Sequence, residues 1–157
     1  MHASGSKLPR PLTAALLHAG RKDEALFESL AAFNERFAKL QDTLGAAMRH
    51  TALLMGEPTS PFLRVMALFE KLGVLVSIGD WQLCRAARNL AAHDYETDYA
   101  PIAEHFNDLI RLQPVLVGAA SRLLVLCSDA LAVRPATQDF DAEFLRVAAH
   151  LSPDAAR

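Results

Sequence analysis

From Arg85 the sequence runs Arg-Ala-Ala-Arg-Asn-Leu-Ala-Ala-His-Asp-Tyr, which brings Arg88, Asn89, His93 and Tyr95 together in one short stretch. On a helix Arg88 faces the turn that carries Ala91 and Ala92, and its long guanidinium can lie alongside His93 once the chain leaves helical geometry. The two small alanines leave that space open. A permanently charged planar fork of donors beside an imidazole that titrates near neutral pH suits a ligand containing phosphate. The competing structural reading is that Arg88 and His93 satisfy the last carbonyls of a helix and complement its negative end. In that case Tyr95 is a core or interface aromatic.

The order Arg, four residues, His, one residue, Tyr resembles the signature of the HepT-like branch of the HEPN superfamily. Arg88, His93 and Tyr95 fit it without a gap, and Asn89 supplies the polar residue that often follows the arginine. The resemblance spans roughly residues 23–134. It implies a homodimeric ribonuclease toxin that needs no metal or cofactor, with the two motif helices facing each other across the dimer cleft. In such an enzyme the 2′-hydroxyl of RNA attacks the adjacent phosphorus. That step needs a proton acceptor, a proton donor and stabilisation of the phosphoryl charge. His93 is then the general acid/base, Arg88 the stabiliser of phosphate and transition state, and Asn89 an orienting hydrogen-bond partner. Arg85, one turn earlier on the same face, helps to hold the RNA backbone. The resemblance further implies that Tyr95 receives AMP from a minimal nucleotidyltransferase that acts as antitoxin, which would block the cleft and set negative charge against Arg88. This chain lacks the Gly-Ser turn and paired aspartates of the transferase, so the transferase is a separate polypeptide. The alternative is a non-catalytic helical adaptor that binds a nucleotidyltransferase or presents substrate to it.

Positioning these residues requires helices, and the composition supplies them. In 157 residues there are 28 Ala and 25 Leu against 8 Val and 3 Ile. Ala and Leu cost least in a helix, whereas β-branched residues favour strands, so an all-α domain is expected. With 16 Lys+Arg against 18 Asp+Glu the formal net charge is -2. Such a balance argues against a polybasic nucleic-acid coat, which works by neutralising many phosphates, yet leaves room for a small local phosphate site. Cys84 and Cys127 form no CxxC pair and indicate neither a disulfide framework nor a zinc knuckle. No uninterrupted apolar run approaches the ~18 residues of a membrane span, and the N-terminal apolar run is a weak signal peptide. A cytoplasmic protein that does not enter the membrane is expected.

Along the chain, residues 1–10 read as a frayed lead-in, followed by a short helix from about Leu12 to Gly20. From Asp23 the residues Leu26, Leu30, Phe33, Phe37, Leu40, Leu44 and Ala47 step by three and four, the stripe of a long amphipathic helix reaching Gly56. Ser60 is the expected N-cap of the next helix, with Pro61 at its first position and Phe62, Val65, Met66, Phe69 and Leu72 inside. Ser77 and Asp80 form a capping-box variant that opens a helix over about 80–93. An acidic break at 94–98 leads to a last long stripe from Ile102 to Ala130 that survives Pro114, predicting one kinked helix or two collinear ones. After Pro135, Phe140, Phe144, Leu145, Val147 and Leu151 suffice for a short amphipathic helix that packs back on the bundle or on a partner. The sum is a single domain over 1–157, an up-and-down four-helix bundle with short additional helices at both ends and its core at about 23–134.

The remaining chemistry-bearing residues read as structural. His18, His50, His105 and His150 are scattered singly, and no Glu has a His three residues later, which removes the di-iron bundle signature. Trp81, Cys84, Ala87 and Ala91 share a helical face and read as core. Both cysteines read as small buried apolar residues.

Overall fold

The computed structural model describes residues 5, 8–90, 98–137 and 141–151. Among them the chain is all-helical, with no strand, in six helices: α1 (Ala14–Ala19), α2 (Glu24–Leu54), α3 (Phe62–Lys71), α4 (Ile78–Leu90), α5 (Tyr99–Leu131) and α6 (Asp141–Leu151). The long α5 packs on α1, α2, α4 and α6, while α2 also meets α3 and α4 and α3 touches α4. The core is built from the predicted stripes. Leu30, Phe33, Phe37 and Leu44 of α2, Val65, Met66 and Phe69 of α3, and Ile102, Phe106, Leu109 and Leu116 of α5 are all buried. Each such side chain contributes about 1.5–3 kcal/mol of apolar burial.

Helix ends follow side-chain chemistry. Thr13 Oγ1 accepts from Leu16 N at 3.2 Å and Asp23 Oδ1 from Leu26 N at 3.1 Å, opening α1 and α2. At α3 the expectation is off by one residue. Pro61, with ψ 160, stays extended and is itself the N-cap, with no side-chain capping bond. Ser77 Oγ does accept from Asp80 N at 3.0 Å, as the capping pattern predicts, but α4 already begins at Ile78. The reason is a second cap: Glu70 Oε1, reaching from the end of α3, accepts from Ile78 N at 2.8 Å. Two oxygens thus satisfy two of the free N–H groups of this end.

A single helix runs through Pro114. Losing one helical hydrogen bond there costs about 3 kcal/mol, which the thirteen buried residues of α5 outweigh many times over. By length and composition α5 is also apolar enough to cross a membrane, and half of its most apolar stretch is buried inside the protein. The N-terminal segment, expected to fray, is docked where it is described. Leu8, Leu12 and Leu17 lie in the core, and the Asn107 amide clamps Leu12 by accepting from its N at 3.0 Å and donating to its O at 2.8 Å. At the other end Ala148 of α6 is buried and Phe144 packs against the core.

Candidate functional site

The geometry of the site starts from Gln41 on α2. Its amide is buried and donates to the Trp81 carbonyl at 3.0 Å, tying the first turn of α4 to the middle of α2. Gly45, one turn on, faces the rings of Phe62 and Trp81. A Cβ there would stand 3.5 Å from the Phe62 ring and 3.7 Å from that of Trp81. The two rings lie 6.2 Å apart and floor a groove between α2, α3 and α4. The groove holds about 360 Å³ and is lined by Asp42 and Arg49 of α2, Phe62 of α3, and Trp81, Arg85 and Arg88 of α4 among others.

Arg85 and Arg88, singled out on spacing, therefore meet in one groove, and a third arginine joins them from another helix. Arg49 lays its guanidinium over the Phe62 ring at 4.4 Å from the centroid. It was not singled out from the sequence. The one signal for it is that Asp42, Ala46 and Arg49 follow helical spacing along one flank of the apolar stripe. Nothing local says that this flank faces α4.

Arg88 departs from the expected direction. It does not turn along its own helix but crosses to α2, where Nη1 pairs with Asp42 Oδ1 and lies 3.5 Å from the Ala38 carbonyl. The side chain is 22% exposed, and a guanidinium partly removed from water takes the nearest carboxylate. Asp42 itself is 69% exposed. Among the described residues neither Arg49 nor Arg85 has a carboxylate within ion-pair distance. Asn89 is exposed and is not part of the groove lining. His93 and Tyr95 lie outside the described residues, as do Ala91, Asp94 and Glu96. Asp98, the last acid of the predicted break, is the N-cap of α5 and accepts from Ala100 N at 2.9 Å.

The residues read as structural are placed accordingly. Trp81, Cys84 and Ala87 are buried, and burial pushes the Cys84 thiol up to about 12. Cys127 is only half-buried, 3.6 Å from Thr51 Oγ1. His105 is buried with Nε2 unpartnered, and desolvation holds its pKa below the ordinary imidazole value against the opposing pull of Asp108. His18 packs edge-on against Tyr99 at 5.8 Å. Among the described residues no three His, Cys, Asp or Glu side chains come together as a metal-ligand set. A second cavity, about 470 Å³, lies between α2 and the start of α5 and is mainly apolar, with Phe27, Tyr99 and Phe106 in its wall.

Chemically, the groove can bind an anion. Three guanidinium groups against one carboxylate leave a surplus of two positive charges beside aromatic walls. No family model, no curated protein and no solved structure matches this chain.

Proposed function

We propose that this chain is a metal-independent endoribonuclease toxin of the HepT-like HEPN type, a four-helix bundle acting as a cytoplasmic homodimer. The observation that carries the reading is the convergence of Arg85 and Arg88 in one groove at the end of α4, the helix that leads by three residues into His93. In the proposed reaction His93 takes the proton of a 2′-hydroxyl, and the oxygen attacks the adjacent phosphorus. The imidazolium so formed gives the proton to the departing 5′-oxygen, leaving a 2′,3′-cyclic phosphate and a 5′-hydroxyl end. Arg88 stabilises the charge that accumulates on the phosphoryl oxygens, and Asn89 orients the reacting groups. A cognate minimal nucleotidyltransferase, as antitoxin, adds AMP to Tyr95 and thereby sets negative charge against Arg88.

The test is RNA cleavage by the purified protein in chelator, with cyclic-phosphate ends as the product signature. Undiminished cleavage by His93→Ala overturns the assignment. Incubation with ATP, magnesium and the transferase is expected to add the mass of AMP to the wild type and not to Tyr95→Phe.

One observation favours a second reading. Arg88 already holds a carboxylate, which is how a purely structural arginine behaves. On that reading the chain is a non-catalytic adaptor for a nucleotidyltransferase. Expression without a partner separates the two: it arrests growth under the first and is harmless under the second.

A further inference from the structure

The arginine motif accounts for Arg88, but it does not account for the company Arg88 keeps. The groove contains its own anion, Asp42, and two further cations, Arg49 and Arg85, that have no carboxylate among the described residues. We propose that the groove binds consecutive phosphates of a single-stranded RNA, with Arg49 and Arg85 holding one phosphate while another displaces Asp42 from Arg88. This rests on the ribonuclease reading and extends it to the path of the substrate.

The geometry supports each part. Arg49 stands seven residues beyond Asp42 on α2, a rise of about 10 Å, so the cations reach along the groove further than a single phosphate extends. The Arg49 guanidinium carbon rests 4.4 Å from the Phe62 ring centroid, and among the described residues no carboxylate takes up its N–H groups, which leaves the fork that arginine uses to grip phosphate with two parallel bonds. Arg85 faces the same groove from α4 and is exposed, so it needs no rearrangement to bind. Asp42 is mostly in water, which makes its hold on Arg88 weak enough for a phosphate to replace. An RNA strand is favoured over a membrane surface because the site is a recessed groove between helices, whereas a lipid headgroup layer meets a convex basic face.

The experiment measures binding of a 2′-O-methyl oligoribonucleotide, which cannot be cut by its own hydroxyl, to the full chain at a series of salt concentrations. Cleavage of the unmodified strand is followed in parallel. Arg49→Gln and Arg85→Gln are each expected to weaken binding about tenfold and to lower the salt slope by about 0.7, the value for one lost single-strand phosphate contact. Arg49→Lys keeps the slope but not the full affinity, since it retains the charge and loses the fork. Asp42→Asn binds several-fold more tightly than wild type. Unchanged affinity and slope in Arg49→Gln, or weaker binding by Asp42→Asn, overturns the proposal. If the wild type cleaves RNA while Arg49→Gln binds normally, the subsite falls and the ribonuclease reading stands. If the slopes change as expected without any cleavage, the subsite stands and the ribonuclease reading falls. Absence of binding and of cleavage by the wild type removes both.

Discussion

Replacing Arg88 with glutamine separates a structural arginine from a functional one, because the two roles predict losses of very different size. The structural contribution is bounded by what the side chain touches. Its carboxylate partner, Asp42, is 69% exposed, so screening and side-chain entropy hold the pair to at most about 1 kcal/mol. The Ala38 carbonyl lies 3.5 Å away, the limit of hydrogen-bond range, and adds little. For a chain of 157 residues, about 1 kcal/mol corresponds to a fall in Tm of about 3 °C. A transition-state contact is another matter: removing one charged donor to a phosphoryl oxygen costs about 3–4 kcal/mol of barrier, a rate loss of two to three orders of magnitude. On the proposed ribonuclease reading, Arg88→Gln is therefore expected to melt within a few degrees of wild type and to cleave RNA more than a hundredfold more slowly. Asp42→Asn, which breaks the same pair from the other side, should share the small stability loss without the loss of cleavage. The assays are thermal unfolding by circular dichroism and initial cleavage rates at saturating RNA. A Tm drop beyond 8 °C with cleavage intact would refute the reasoning and leave Arg88 as a pin between α2 and α4.

Three further outcomes follow from the surroundings of single residues. His105 is buried with an unpartnered Nε2 and a lowered pKa, so the unfolded chain takes up its proton first as pH falls. Its contribution to stability is whole above the unfolded value of about 6.5 and is lost as pH drops from there through the depressed folded value. His105→Leu should flatten the dependence of urea midpoint on pH in that window, and an unaltered profile would contradict the assignment. Cys84, with its thiol pushed up to about 12 and no exposure, should react with an aromatic disulfide reagent only at the rate of global unfolding, well after the half-buried Cys127. Equal rates for the two thiols in mass spectrometry would show that α4 opens locally. Ala132 ends α5 in the left-handed region at φ 53, so Ala132→Gly should relieve backbone strain and raise stability by about 0.5–1 kcal/mol, or about 2 °C in Tm.

Periodicity made α2 and α5 legible because a helix that buries one face must repeat apolar residues at that face's spacing. Leu30, Phe33, Phe37 and Leu44 are buried as the stripe requires, and so are Ile102, Phe106, Leu109, Leu116, Ala120 and Leu123. The α5 stripe then continues on paper to Ala130, which is exposed. Hidden from the sequence were contacts between residues far apart along the chain. The Asn107 clamp on Leu12 and the Glu70 cap on Ile78 each depend on how two elements cross or turn, which local spacing does not encode. The site divides along the same line. Arg85 and Arg88 stand three residues apart on one helix and could be paired by counting, whereas Arg49 joins them only through the packing of α2 on α4.

That packing gives the groove its electrostatic character. A protein with a net charge of -2 could neutralise three neighbouring arginines from its own surface, yet among the described residues only Asp42 faces them. Grouping like charges adds repulsion, against which stand the contact of Arg49 with the Phe62 ring and the pairing of Arg88 with Asp42. A residue beneath the groove is costly. Gln41 is buried, and its Oε1 has no partner among the described residues while its amide bonds the Trp81 carbonyl. A buried orphan acceptor weakens the fold by about 1 kcal/mol or more. Of the four buried side-chain atoms without a partner among the described residues, Gln41 Oε1 is the one that belongs to the groove lining, so a local rule of stability is broken beside uncompensated positive charge, the pattern expected at a functional site.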